Sequence, residues 1–386
     1  MTTLIDKKTK LKKILWIGLV LLLAFLTAEV ALRHFWTPPI TTRDRSLVRH
    51  HSLFGWEKAP FAKARHKNRY YEVFEKYNSR GLRGPEYSYE KPINKKRILI
   101  LGDSHAEGRT VKFDDLFSEV FQREFNNKST QQIEVINAGT GSYSTDQQLL
   151  FFENEGVKYK PDITISTFTF DDVWCNTLKA YSYWDKPRFK LNEGALELLG
   201  VPVAKSEAPN YSKFRLFIWK NFYVGKFVYK KITKSSFYNL LSRLGLAPFS
   251  FQYRVYQKKE TPLIKYAWLL TEAILLELKQ KVESSGSKLI IYHIPDMAFV
   301  YPEQWEKRKN KFNFSNKEWD LSLDSQKLEA ICKKHGIDFI NPIDVFRQSS
   351  ANQQLYSFDD EHWLPEGHEL AGEVLVDYFI NNKLGQ

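Results

Sequence analysis

The chain has 386 residues, 43% hydrophobic and 15% aromatic, which excludes a disordered chain and gives it the length to bury a sizeable core. Its formal net charge of +12 points to an anionic neighbour without naming one. Two cysteines, Cys175 and Cys332, exclude a disulfide framework and leave one bridge open, and the absence of CxxC, HExxH and GxxxxGK[ST] removes the common zinc and P-loop readings.

In chain order, residues 1–13 form a basic tail with five lysines, and Ile14–Leu32 follows with only Thr27 and Glu29 as clear polar interruptions. Nineteen helical residues rise roughly 28 Å, about the hydrocarbon thickness of a bilayer. A signal peptide starts the same way, but its apolar stretch is shorter and no A-x-A site is obvious here. The expectation is an uncleaved anchor with the tail in the cytoplasm and the bulk of the chain outside. Glu29 falls near the outer end, within reach of the interface.

Residues 33–95 are mixed and turn-rich, and read as a stalk and leading subdomain. From Arg97 the pattern becomes regular: strand "RILILG", helix "DDLFSEVFQREFNN", strand "IEVINAG", helix "STDQQLLFFENEGVKY", strand "DITISTFTF". Short, doubly apolar strands alternating with helices indicate a parallel sheet covered on both faces. An irregular insertion over about 178–262 interrupts it. Within the insertion, Asn210–Lys259 carries eleven Lys/Arg, fourteen aromatics and no Asp or Glu. Lysine interleaved with aromatics suits anionic headgroups or a substrate surface, and equally a helical insertion with a solvated basic face. Nucleic acid, the reflex reading of such a run, conflicts with an extracytoplasmic location. The alternation resumes with "TPLIKYAWLLTEAILLELKQKVESSG", "KLIIYHIP", "DSQKLEAICKKHG", "IDFINP" and a last helix "PEGHELAGEVLVDYFINNK". The fold class expected over 96–386 is doubly wound α/β, flavodoxin-like, with five parallel strands and one helical insertion.

Sites in such sheets form beyond the carboxyl ends of the strands. The first strand delivers Gly102, Asp103, Ser104 and His105; the second delivers Asn137, Gly139, Gly141 and Ser142; the third delivers Asp171, Asp172 and Asn176. "FDDEHW" places Asp359 three residues before His362 just ahead of the last helix. A serine hydroxyl becomes a useful nucleophile only when a base takes its proton. His362 suits that base, and an acid one helical turn away suits its orientation.

These blocks, in this order, resemble the SGNH or GDSL hydrolase superfamily, in particular its bacterial membrane-anchored members. The resemblance runs from about Asn78 to the C-terminus, less the insertion. It implies Ser104, His362 and Asp359 as a catalytic triad, without cofactor or metal. It implies an oxyanion hole from the Ser104 N–H, a second-block N–H at Ser142 beside Gly141, and a third-block side chain at Asp171. Asp103, His105 and Asn176 are expected to line the substrate, and His368 reads as structural. The third block departs from the pattern, because Asp171 stands where an asparagine is usual. An ionised carboxylate about 4 Å from an oxyanion costs on the order of 4 kcal/mol at an effective dielectric of 20, nearly a thousandfold in rate. Asp171 must then be protonated, turned away, or replaced as donor, for instance by Asn176.

The function expected is a serine esterase or acyl-transferring enzyme at the outer face of a bacterial cytoplasmic membrane, acting on glycan or lipid esters and binding no nucleic acid. The alternative is a silent member of the same fold that binds or assembles envelope components.

Overall fold

In the computed structural model, residues 2–36, 45–67, 69–181, 184–205, 221–233, 251–312 and 314–384 are described. The chain divides into two units, Met1–Thr42 with Asn210–Pro248, and Arg43–Pro209 with Phe249–Gln386.

The second unit is built on five strands: β1 (Lys95–Leu101), β2 (Gln132–Asn137), β3 (Ile163–Phe168), β4 (Lys288–His293) and β5 (Asp338–Ile340). All neighbouring pairs are parallel, in the spatial order β5-β4-β3-β1-β2. That is the flavodoxin-like order, with its switch point between β1 and β3. Alternation within β1 shows why the sheet is covered twice. Ile98 and Ile100 enter one buried cluster with Phe121 and Phe379, while Leu99 and Leu101 enter another with Leu149 and Leu275.

The helices that bear on the site are α1 (Ser104–Glu107), α2 (Phe117–Lys128), α3 (Thr145–Asn154), α4 (Pro262–Ser284) and α5 (Pro365–Asn381). α4 begins where Thr261 accepts the Ile264 N–H, and the left-handed Gly286 just beyond its end fits the expected C-terminal signal. Gly102 is required by close approach: a Cβ there would lie 2.0 Å from Thr167 Oγ1 and 2.7 Å from the Ala106 Cβ. Both cysteines are buried and free.

Within the expected stalk and leading subdomain, two antiparallel hairpins (48–58 and 63–76) and the turns after them carry buried side chains against the loops that follow β1 and β2. One expectation is corrected: the described front of the insertion is not helical. It holds a two-residue pairing of Ala180–Tyr181 with Trp184–Asp185 and a hairpin of Arg188–Asn192 with Ala195–Leu199.

In the first unit, the N-terminal helix spans Thr2–Phe35, and its Lys12–Phe35 stretch, which holds an 18-residue window of mean hydropathy 2.4, is long and apolar enough to cross a membrane. A second helix, Tyr223–Thr233, packs along it. Glu29 is buried at their junction, not turned to an interface. Its carboxylate accepts the Tyr223 and Val224 N–H groups, both at 2.9 Å, and the Arg33 Nε–H at 2.8 Å. Of the basic run, Lys213, Arg215, Lys220, Lys234 and Arg243 lie outside the described residues.

Candidate active site

β1 runs into Gly102 and Asp103, and Asp103 Oδ1 accepts the His105 N–H at 2.8 Å, opening α1 at Ser104. As the first residue of a helix, Ser104 has no helical acceptor behind it for its own N–H. Ser104 Oγ lies 2.8 Å from His362 Nε2. On the far side of the ring, Nδ1 is 2.7 Å from the Asp360 carbonyl oxygen. An Nδ1–H donating to that carbonyl leaves the lone pair of the neutral ring on Nε2, facing the Ser104 hydroxyl. The fold thus brings a serine hydroxyl and an imidazole nitrogen, distant in the sequence, into hydrogen-bond contact.

The carboxylate standing beside this imidazole is that of Asp360, at 3.9 Å from Nδ1. Asp359, expected there, instead holds Arg69, with Nε–Oδ2 at 2.8 Å. Asp360 is itself held by the Tyr71 hydroxyl at 2.8 Å and by Arg109 at 3.6 Å, and Arg109 Nη2 also stands 3.4 Å from Nδ1. The leading hairpins thus reach across to the histidine loop.

His105 stacks on His362, with centroids 4.7 Å apart and planes 17° from parallel. Burial pushes its pKa down to about 4, against the opposing pull of Asp171, so this ring stays neutral at physiological pH. The sign follows from linkage: with a folded pKa of about 4 and an unfolded one near 6.5, the contribution is complete above about pH 6.5 and is lost as pH falls towards 4. Urea titrations of the wild type and His105→Gln should therefore diverge over that window. Parallel curves would remove His105 from the acid sensitivity.

The second block forms a turn that is tied down from below. Asn137 Oδ1 accepts the Gly139 N–H at 2.9 Å, and the Glu107 carboxylate accepts the Gly141 N–H. Glu107 is buried and receives Lys58 Nζ at 2.6 Å and the Tyr77 hydroxyl at 3.0 Å. Gly141, expected beside the oxyanion, is thus engaged by this carboxylate. Ser142 has φ 68°, a left-handed conformation that costs a serine about 1–2 kcal/mol. Ser142 lines the cavity above Ser104.

That cavity has a volume of about 250 Å³, and its walls include Asp103, Ser104, His105, Ser142, Asp171 and His362. Asp171 accepts the Thr169 hydroxyl at 2.6 Å and the Tyr181 hydroxyl at 3.2 Å. Burial, reinforced by Asp103, raises its pKa above the usual carboxylate range. Asn176, expected as a substrate contact and as a replacement donor, does neither. It is fully buried, with its amide donating to Thr145 and Thr271 at 2.6 and 3.0 Å and its oxygen accepting the Asp146 N–H at 3.1 Å. Among the described residues, no trio of His, Cys, Asp or Glu is placed to hold a metal ion.

The Gly-Asp-Ser block after β1, the turn after β2 and the histidine before α5 meet at one cavity on the β1/β3 switch point.

No family model and no curated protein matches this sequence. Solved structures similar to it include a lipase/acylhydrolase from Enterococcus faecalis (12% identity, TM-score 0.38, 74% of this chain and 96% of the other). An acetyl xylan esterase variant from Geobacillus stearothermophilus is also similar (11%, 0.39, 73% and 93%), as is the α/β hydrolase LAE5 from the metagenome of Lake Arreo, Spain (10%, 0.40, 75% and 96%). At this distance they carry no chemistry over to this chain, whose own residues must supply it.

Proposed function

We propose that this chain is a serine ester hydrolase of SGNH type, held at a membrane by its N-terminal helix. The 2.8 Å contact of Ser104 Oγ with His362 Nε2, with Nδ1 of the same ring on the Asp360 carbonyl, carries this reading. Ser104 Oγ attacks the ester carbonyl carbon as its proton passes to Nε2. The tetrahedral oxyanion draws on the Ser104 N–H and on the backbone at Ser142. Collapse expels the alcohol, which takes the proton from Nε2 and leaves an acyl-enzyme. Water, or a sugar hydroxyl in an acyl transfer, then attacks with the same base. Asp360 orients the ring through its carbonyl, with its carboxylate behind. Asp359 acts through Arg69 on the same loop. The lysine-rich tail supports a cytoplasmic N-terminus and an extracytoplasmic site facing envelope glycans or lipids.

The test is intact mass after treating the full chain in detergent with a fluorophosphonate, with Ser104→Ala alongside. One adduct per chain, absent from Ser104→Ala, is the expected result. A folded protein that takes no adduct would favour the second reading, a silent binding member, for which Asp171 in place of an amide donor is the supporting observation.

A further inference from the structure

The carboxylates around the cavity are compensated unequally. Asp296 and Glu361 share Arg308, at 2.5 and 3.2 Å. Asp360 has Arg109 and Tyr71, and Asp103 caps α1. Among the described residues, the adjacent pair after β3, Asp171 and Asp172, has only neutral donors. Thr169 and Tyr181 serve Asp171; the Thr169 N–H and hydroxyl, at 2.8 and 3.1 Å, serve Asp172 Oδ2. Among the described residues no Lys, Arg or His forms an ion pair with either. Asp172 is 2% exposed, lines the cavity, and its Oδ1 is buried with no hydrogen-bond partner.

A buried carboxylate without a counter-charge either takes up a proton or receives a cation from outside. Burial and the neighbouring acids do push Asp172 well above the usual carboxylate range, which describes the pair with the cavity empty. A metal ion is a poor candidate, since the described residues converge no ligand trio. An ammonium group needs fewer ligands and donates directly to an open carboxylate oxygen. Because the pair and Ser104 share about 250 Å³, that ammonium must lie close to the ester carbonyl itself.

We propose that the substrate is an α-aminoacyl ester whose ammonium group is received by Asp171 and Asp172. The proposal rests on the hydrolase reading above and gives a reason for the departure at Asp171. A carboxylate that is unfavourable beside an oxyanion is favourable beside an ammonium two bonds from the carbonyl carbon.

The probe pair is alanine methyl ester and methyl isobutyrate, which differ by ammonium for methyl, with kcat/KM divided by each ester's own hydroxide-catalysed rate constant. The wild type should favour the alanine ester at least about tenfold, and Asp172→Asn should bring that ratio towards one. A wild-type ratio near one, or one favouring isobutyrate, overturns the proposal. Asp171→Asn is the second variant should Asp172→Asn fail to fold. In parallel, Ser104→Ala is titrated with both esters by calorimetry, which reads recognition without turnover. Tighter binding of the ammonium ester, weakened by the Asp172 change, supports the proposal, and equal binding refutes it. Failure of the hydrolase reading is separate, appearing as an unlabelled Ser104 in a folded protein.

Discussion

His362→Gln will lower kcat/KM for an activated ester by about four orders of magnitude, and adding Ser104→Ala will lower it little further. The reason is that Ser104 and His362 are one unit. With Nδ1 committed to the Asp360 carbonyl at 2.7 Å, Nε2 is the only basic atom aimed at the hydroxyl, 2.8 Å away. His105 cannot substitute, although its ring stacks on His362, because burial holds it neutral with a pKa of about 4 and its Nδ1 is buried without a partner. Glutamine approximates the length of histidine but has no lone pair of comparable basicity, so the attack loses its base while the cavity is retained. Single-turnover rates of the two single variants and the double variant decide this. Losses that multiply would mean that serine and histidine act in separate steps and would sink the shared mechanism.

The parts of this site that were legible in the sequence are those set by periodicity and local turns. Four aliphatic residues running into Gly-Asp-Ser marked the end of β1, and the apolar pattern of α5 placed His362 at its entrance. The i, i+3 spacing of Asp359 and His362 does not carry over to a helical turn. An i, i+3 argument assumes a helical turn, whereas residues 357–362 close a loop in which the Ser357 N–H donates to the His362 carbonyl and the Glu361 N–H to the Ser357 carbonyl, both at 2.8 Å, with Glu361 at φ 63°. That geometry brings the Asp360 carboxylate to 3.9 Å from the ring while Asp359 pairs with Arg69. The insertion hairpin did leave a signal in "LNEGAL", where Glu193 and Gly194 form the two-residue turn at φ 50° and 85°. Arg69, Tyr71 and Lys58 left none, since each reaches its partner across a long sequence separation from a hairpin with no apolar period.

Lys186→Met will destabilise the fold by about 3–5 kcal/mol, the cost of stranding one member of a buried ion pair. Lys186 has no exposed side-chain surface, and neither has its partner Asp146, 2.8 Å away. Its ammonium also donates to Ser144 Oγ at 2.6 Å and to the Cys175 carbonyl at 3.0 Å, which accounts for all three of its protons. Methionine fills the volume of the stem but donates nothing, so Asp146 is left buried without the cation that opposes its desolvation. The pair also joins two walls of the cavity, since Ser144 belongs to the second block and Cys175 follows Asp171 and Asp172. The variant should therefore lose activity through the second-block turn as well as stability. Asp146→Asn in the Lys186→Met background should recover most of the lost stability, because the charge left unpaired is then gone. Denaturant midpoints of the two single variants and the double variant form the test. Additive losses would show that Lys186 contributes through packing, and its ammonium would then no longer explain why a lysine is buried there.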